Sequence, residues 1–262
     1  MTFLTVLGTE LIKLRRSKVT WITLAACTLL VAMGGFFMWM MMHPDAARSL
    51  GLLGQKASFT LSGQPMDWTS YLTLIVEMGG FGGLVFCSVI VAFVFGREYV
   101  EGTAKNLLAL PLPRGLFVAA KLVISTAWWA VLTGWTIGEA WIVGSILGIP
   151  AYTPQLFGAA VTKLVVLAGL SLCCASIVAW IAVETRGYFA PLGFAIFAMV
   201  LATVFGHTGW GRWVPWSIVG LYSGAAGPET SLGWGSYAVT AATLLLGTGL
   251  TIRHEVFADN TQ

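Results

Sequence analysis

The sequence contains few charged residues and few of the groups that ordinarily carry out catalysis. Only 10% of its 262 residues are charged, and it has three histidines and four cysteines, whereas a soluble domain has roughly 25% charged residues. It contains no GxxxxGK[ST] run that could hold nucleotide phosphates, and no HExxH zinc motif. These absences argue against a soluble protein, and against an ATPase or a metalloenzyme. We therefore expect no cofactor and no metal in this chain.

Long apolar runs make up most of the sequence, which is 57% hydrophobic. A helix needs about 20 apolar residues to cross a bilayer, because every backbone amide must be satisfied within the segment. Six runs meet this requirement and predict an all-α polytopic membrane protein: residues 19–42, 71–95, 116–147, 156–183, 188–205 and 237–252. We treat residues 19–255 as one membrane domain, preceded by a segment at 1–18 and followed by a tail at 256–262. The four cysteines all fall inside these runs, which favours a packing role.

The distribution of positive charge predicts the orientation. With six spans, ten lysines and arginines fall on the side of both termini and three fall on the other side, while Lys163 lies inside a run. Because loops rich in Lys and Arg stay in the cytoplasm, we expect both termini to be cytoplasmic, in a bacterial plasma membrane.

The first 18 residues form an amphipathic pattern. Phe3, Leu7, Leu11 and Leu14 recur at helical spacing, and Lys13 is among the polar residues on the other side. This pattern predicts a helix on the inner membrane surface, with its cations near anionic headgroups. The alternative is a disordered, positively charged tail.

The stretch EYVEGTAKNLLALPLPRGLFVAAK, residues 98–121, is the most polar segment between two apolar runs. A helix from residue 98 would be stopped by Pro111 and Pro113. Its apolar residues fall on one arc, beside a charged arc of Glu98, Glu101 and Lys105: Val100, Ala104, Leu107 and Leu108. Because this loop would lie outside the membrane, the apolar arc needs a partner, either the bilayer surface or a groove on another protein.

Three segments resemble the permeases of ABC-2-type transporters, the membrane subunits of type 2 ABC exporters. ELIKLRRSKVTW at 10–21 is similar to the start of these proteins, and WVPWSIVGLYSG at 213–224 to the segment before their last span. The most specific segment surrounds the first predicted cytoplasmic loop, where these residues match the family pattern: Glu98, Gly102, Thr103, Leu110, Pro111, Arg114 and Lys121.

The resemblance implies that the first cytoplasmic loop is a coupling helix, which docks on a separate ATPase subunit. The second loop, VETRG at 183–187 with Glu184 and Arg186, would be a shorter contact. ATP and Mg²⁺ would then be bound by the partner ATPase. The resemblance also implies a second permease, in a homodimer or a related heterodimer. The segment between the fifth and sixth spans is too long and too apolar for a simple turn and is interrupted by Pro215, so we expect short interfacial or re-entrant helices there.

Three ionisable residues, Glu77, Glu139 and Lys163, lie inside predicted spans. Charges at this depth are costly unless they are paired or hydrated, so they are candidates for a transport path. Glu139 and Lys163 have similar predicted depths, so we expect them to be near neighbours.

Other functions remain open from the sequence. A secondary transporter would use Glu77, Glu139 and Lys163 to handle a coupling ion, although no internal symmetry between two halves is evident. A membrane-embedded enzyme is disfavoured by the absence of catalytic motifs. An assembly factor without transport activity has no distinguishing sequence feature.

Overall fold

The computed structural model describes residues 3–51, 66–103, 113–226 and 232–257. Nine α-helices and one 3₁₀ turn occur within these ranges. The helices are α1 (Phe3–Arg15), α2 (Lys18–Met42), α3 (Pro44–Ser49), α4 (Trp68–Val100), α5 (Arg114–Ile146), α6 (Pro154–Glu184), α7 (Phe189–Gly206), α8 (Pro215–Ser223) and α9 (Trp234–Phe257); the 3₁₀ turn is Gly211–Trp213.

Six of these helices are long and apolar enough to span a membrane, which confirms the predicted class: α2, α4, α5, α6, α7 and α9. Several extend beyond the apolar runs, because polar caps define their ends. The side chain of Asp67 accepts a hydrogen bond from Ser70 N at 2.9 Å, so α4 begins three residues before the predicted run. The side chain of Ser17 caps α2 in the same way, accepting from Val19 N at 3.0 Å.

Helices α4 and α6 form the centre of the bundle and contribute most of its buried side chains. At one end Phe95 of α4 and Val178 of α6 are fully buried with Leu132 of α5. At the other end Tyr71 of α4 and Leu167 of α6 pack with their neighbours in a second cluster. The hydroxyl of Tyr71 also donates to the carbonyl of Ala140 on α5 at 3.2 Å.

Helix α8 lies inside the bundle, between α7 and α4. The hydroxyl of Ser217 donates to the carbonyl of Ala202 on α7 at 3.1 Å. On the other side Ser223 occupies the space that a side chain at Gly80 of α4 would need. Gly80 is therefore required for close approach of α8, and the segment between the fifth and sixth spans contributes to the core.

Three glycines of α5, Gly134, Gly138 and Gly144, each lie in a GxxxG spacing, but they differ in what they contact. A Cβ atom at Gly144 would lie 2.5 Å from the ring of Trp68, so this glycine allows α4 to approach α5. A Cβ atom at Gly134 or Gly138 would meet no heavy atom within 4 Å. The spacing alone could not separate these two cases.

We predict that Gly144→Ala destabilises the protein, because the added methyl group must displace the buried indole of Trp68. Overpacking of this kind costs about 1–3 kcal/mol. The transition temperature in detergent, followed by loss of the monodisperse chromatographic peak, should fall. Gly138→Ala on the same helix is the matched control and should leave that temperature unchanged or raise it, because alanine favours the helix. Equal behaviour of the two variants would contradict this packing.

Candidate functional site at the end of the bundle that carries both termini

Helix α1, the ends of α4, α6 and α9 and the start of α5 meet at one end of the bundle, which we call the basal end. Polar contacts join these elements. Lys13 of α1 and Lys121 of α5 both bind Glu98 of α4. At the same end, Glu184 of α6 contacts His254 of α9.

Five charged side chains form one ion-pair cluster at the basal end. Glu98 bridges two cations: its Oε1 lies 2.9 Å from Lys13 Nζ, and its Oε2 lies 2.6 Å from Lys121 Nζ. Glu10 of α1 binds Lys13 at 2.6 Å through Oε1 and Arg97 at 3.4 Å through Oε2. Two carboxylates therefore share three cations, and the cluster connects α1, α4 and α5.

Most of the cluster is removed from solvent. The side chains of Glu10, Arg97, Glu98 and Lys121 are between 3% and 8% exposed, and only Lys13 reaches the surface. Phe95 and Phe93 add aromatic faces beside the cations, with Lys121 Nζ 5.5 Å and the Arg97 guanidinium 5.7 Å from the ring centroids. Because buried charges are stable only when they are fully paired, each member depends on the others.

Lys13 remains charged in this cluster. Partial burial lowers the pKa of Lys13, but the nearby carboxylate of Glu98 and hydrogen bonds to Glu10 and Glu98 raise it by more. The net effect is a pKa above the usual value of lysine. Lys13 is thus a cation at any neutral pH.

The face of α1 that packs on the bundle is not the one that the sequence predicted. Val6, Glu10 and Leu14 are buried, whereas Leu4 and Leu11 are more than half exposed. The predicted apolar stripe is therefore divided, with Leu14 facing the protein and Leu11 facing outward. Lys13, expected on a solvated face, instead binds Glu98, because a buried carboxylate on α4 offers it a partner.

The second loop at the basal end lies against the end of α4, from which the first loop starts. A Cβ atom at Gly96 would lie 2.7 Å from the carbonyl of Gly187, so the backbone of the second loop packs directly on the end of α4. Val100 lies beside the same loop and is 50% exposed. Arg186 adopts a positive φ of 52°, which turns the chain from α6 into α7.

The first loop begins with a tight turn at the end of α4. The amide of Thr103 donates to the carbonyl of Glu98 at 2.9 Å, and Gly102 has a φ of +69°, which favours glycine. Glu101 ends α4 as an exposed cap. The remaining predicted coupling residues Ala104, Leu107, Leu108 and Pro111 lie outside the described residues.

The end of α9 completes the basal end through contacts that the sequence did not indicate. The hydroxyl of Tyr99 donates to Glu255 Oε1 at 3.0 Å, and the guanidinium of Arg114 donates to the carbonyl of Glu255 at 3.3 Å. His254 Nδ1 lies 2.9 Å from Glu184 Oε2. Contacts between residues 70 to 156 positions apart have no local sequence signal.

The intramembrane charges form a different arrangement from the one expected. Glu77 of α4 and Lys163 of α6 line a cavity of about 290 Å³, together with Thr69, Thr73 and the turn that ends α8. Glu139 does not line this cavity; it lies near Thr28 of α2 and Trp135, whose indole Nε1 donates to the hydroxyl of Thr28 at 2.9 Å.

Glu139 and Lys163, which the sequence predicted to be near neighbours, do not form an ion pair. Among the described residues no carboxylate oxygen of Glu139 lies within 4 Å of Lys163 Nζ, and Oε2 of Glu139 has no hydrogen-bond partner. The sequence estimated how deep each residue lies along its helix, but not the direction in which its side chain points. Within the described ranges, no three His, Cys, Asp or Glu side chains are close enough to hold a metal ion.

Comparison with known proteins identifies the family. A family model described as ABC-2 family transporter protein matches residues 6–202. The chain belongs to this family. It is similar to the bacitracin transport permease protein BCRB of Bacillus licheniformis, with 29% identity over 191 residues that cover 71% of this chain and 86% of the relative. The chain is therefore a multi-pass membrane subunit of an ABC transporter, and membership in the ABC-2 family implies an ABC ATPase partner and dimeric permeases.

We predict that Glu98→Gln strongly destabilises this ABC-2 permease, because it leaves Lys121 buried without a carboxylate. Removing one member of a buried ion pair costs about 3–5 kcal/mol. The transition temperature in detergent and the yield of monodisperse protein should both fall. Glu101→Gln, three residues later and exposed, is the matched control and should leave both unchanged.

The double variant Glu98→Gln with Lys121→Gln tests whether the stability lost in Glu98→Gln comes from the broken ion pair or from altered packing. Removing both charges should recover part of the stability lost in Glu98→Gln. Additive losses in the double variant would show that the two residues do not interact.

Proposed function

We propose that this chain is the permease subunit of an ATP-driven exporter in a bacterial plasma membrane, with both termini in the cytoplasm. It forms a transmembrane path with a second permease and is driven by a separate ATPase subunit, which binds ATP and Mg²⁺. The observation that carries the proposal is the basal end, where the second loop packs on the end of α4 and a cluster of five charges, four of them buried, joins α4 to α1 and α5.

This arrangement supports mechanical coupling between the loops and the spans. A partner that moves the first loop also moves the end of α4, because Thr103 N is bonded to the carbonyl of Glu98. The side chain of Glu98 is held by α1 and α5. Closely paired charges in a buried setting resist separation, so the three helices respond together.

The coupling surface would include residues of both loops. Glu98, Gly102 and Thr103 shape the first loop, and Val100 and Glu101 are exposed beside it. Glu184 and Arg186 flank the second loop. Arg114 fixes the far end of the first loop to α9. Ala104, Leu107, Leu108 and Pro111 remain sequence-based members of this surface.

Two observations support a proposal for the class of substrate: the apolar character of the spans and the similarity to BCRB. BCRB carries bacitracin transport in its name, and the spans here are apolar with few charges. We propose an amphipathic substrate.

A secondary transporter is the second candidate, favoured by the presence of Glu77 and Lys163 in one cavity. It would move substrate in proteoliposomes with an ion gradient and no ATPase. The exporter proposed here would be inactive under those conditions and active when the ATPase and ATP are added.

We predict that Val100→Asp uncouples the permease from its ATPase without unfolding it. Val100 is half exposed at the first loop, so the new charge is tolerated in the free subunit. In a complex, loss of an apolar contact worth about 1.5–3 kcal/mol and burial of an unpaired carboxylate would weaken association at least about tenfold. The measurements are copurification of the ATPase with the tagged permease and ATP-dependent transport.

Val256→Asp is the matched control, since it introduces the same change at an exposed valine of the basal end outside both loops. It should retain the ATPase. The sequence placed Leu108 on one helical arc with Val100, but the helix ends at Val100 and the chain turns at Gly102, so Leu108 is tested as a separate, sequence-based member of the coupling surface. Leu108→Asp should behave as Val100→Asp does, and Asn106→Asp should have little effect. Normal ATPase association and transport in both Val100→Asp and Leu108→Asp would refute the coupling surface.

The orientation can be tested by thiol labelling. Thr5 and Thr9 are exposed on α1 and Ser49 is exposed on α3 beyond the other end of α2, so these positions sample opposite ends of the first span. Cysteines at Thr5 and Thr9 should react with a membrane-impermeant reagent only after the cytoplasmic face is opened. A cysteine at Ser49 should react in intact cells, and the parent with its native cysteines gives the background. The reverse pattern would invert the topology.

A further inference from the structure

A cavity of about 560 Å³ lies at the end of the bundle opposite the basal end, within the range of small-molecule sites, roughly 300–1,000 Å³. The end of α7, the 3₁₀ turn, α8 and the start of α9 form its walls, and we call it the α7–α9 cavity. Because α7 ends at Gly206 and α9 begins at Trp234, the cavity lies where two spans leave the hydrocarbon, at the depth of lipid headgroups.

Exposed tryptophans beside the lining residues support this depth. Trp213 lines the cavity, and Trp210 and Trp234 are chain neighbours of lining residues. All three indoles are more than half exposed. Because an indole has an apolar ring and a polar N–H group, tryptophan prefers the headgroup level of a bilayer. The α7–α9 cavity therefore opens among lipid headgroups.

The charge in the wall of the α7–α9 cavity is positive. Arg212 lines the cavity and is exposed, and within the described ranges no carboxylate lies within 4 Å of its guanidinium. The described lining residues include no Asp or Glu. A guanidinium is a planar fork that binds two phosphate oxygens at once. The uncompensated charge of Arg212 therefore favours a phosphate group in this cavity.

The backbone that carries Arg212 is held from two sides. The hydroxyl of Ser236 on α9 donates to the carbonyl of Arg212 at 2.9 Å. A Cβ atom at Gly211 would lie 2.7 Å from the carbonyl of Phe205, so the turn also packs directly on the end of α7. A ligand bound to Arg212 therefore lies between the ends of two spans.

The remaining wall leaves room for a ligand. Gly209 and Gly233 both line the cavity, and a Cβ atom at either position would meet no heavy atom within 4 Å. Leu221 and Leu232 add apolar surface, which favours contact with hydrocarbon. The cavity thus combines a cation, open space and an apolar wall.

We propose that the α7–α9 cavity binds a phosphate group of net negative charge, held by Arg212. The depth of the cavity and its apolar wall favour an anionic phospholipid as the source of this group. The bound molecule would connect the ends of α7 and α9. This binding goes beyond the exporter function and does not rest on it, because it requires only the isolated permease.

The test measures binding to the purified permease by native mass spectrometry, with three lipids that have the same acyl chains. Phosphatidylglycerol is anionic, phosphatidylcholine has the same phosphodiester but no net charge, and diacylglycerol has no phosphate. Phosphatidylglycerol should bind about fivefold more tightly than phosphatidylcholine, the factor that one cation contributes near anionic lipid, and diacylglycerol should bind most weakly. Equal binding of the three lipids would overturn the proposal.

Variants of two exposed arginines link the preference to this cavity. Arg212→Gln should weaken binding of phosphatidylglycerol about fivefold and remove its advantage over phosphatidylcholine. Arg48→Gln on α3 is the matched control and should have no effect, because Arg48 already binds Asp45 at 3.4 Å. Equal losses in the two variants would show attraction to surface charge in general and refute the site. An unchanged preference in Arg212→Gln would also refute it.

Filling the cavity distinguishes a site inside it from attraction by charge alone. Gly209→Leu and Gly233→Leu keep Arg212 and place a side chain in open space, so each should weaken binding of phosphatidylglycerol at least as much as Arg212→Gln does. Gly158→Leu is the matched control, at an exposed glycine of α6 that also has open surroundings but does not line the cavity. Unchanged binding in both filling variants would place the lipid elsewhere and refute the cavity.

Two further arms identify the source of the phosphate and separate this inference from the exporter function. Glycerophosphoglycerol, which has the same head and no acyl chain, competes as well as phosphatidylglycerol if the ligand is a soluble phosphate ester, and much more weakly if the ligand is a lipid. Either result supports the phosphate site. Copurification of the ATPase with no preference for phosphatidylglycerol refutes this inference and leaves the exporter function intact, and the opposite result does the reverse.

Discussion

The bridge formed by Glu98 between Lys13 and Lys121 is the interaction on which the basal end depends. One carboxylate at the end of α4 holds a lysine of α1 and a lysine of α5 at 2.9 and 2.6 Å. Lys121 is almost fully buried, so its charge is stable there only because Glu98 is present. The position of α1 against the end of α4 follows from this pairing.

Two acidic residues of α4, Glu98 and Glu77, have different surroundings. At the basal end Glu98 is closed into a complete network, whereas 21 residues earlier Glu77 lines a cavity with a lysine that it does not pair with. The two residues are about 31 Å apart along one helix, at 1.5 Å per residue. The helix has no proline between them, so α4 is a continuous connection from the loop to the cavity.

The sequence predicted the six spans, and it predicted the family from three short segments, because apolar runs and motif residues are local features. Two of those segments, around Glu10 and around Glu98 and Lys121, prove to be in direct contact. That contact could not be predicted, since spacing along the chain carries no information about which helix faces which. The same limit explains why Glu139 and Lys163 do not pair: a similar predicted depth allows an ion pair, but the direction of each side chain depends on how its helix packs. No sequence motif marked His254 or Glu255 as part of the basal end. Only their contacts with Glu184 of α6 and Tyr99 of α4 show that they belong to it.

Close packing around Gly80 determines how movement of α4 would reach the cavity. Ser223 fills the space beside Gly80, so α4 and α8 touch without slack. Well-packed contacts of this kind transmit displacement, because interiors have few voids into which side chains can relax. The residue after Ser223 is Gly224, which ends α8 and lies against Glu77. Under the proposed coupling, a tilt of α4 at the basal end would be passed to the α8 turn through this contact, and so to the cavity wall beside Glu77. The loops and the cavity are connected by two contacts, the ion-pair cluster and the Gly80–Ser223 contact, and both lie on α4.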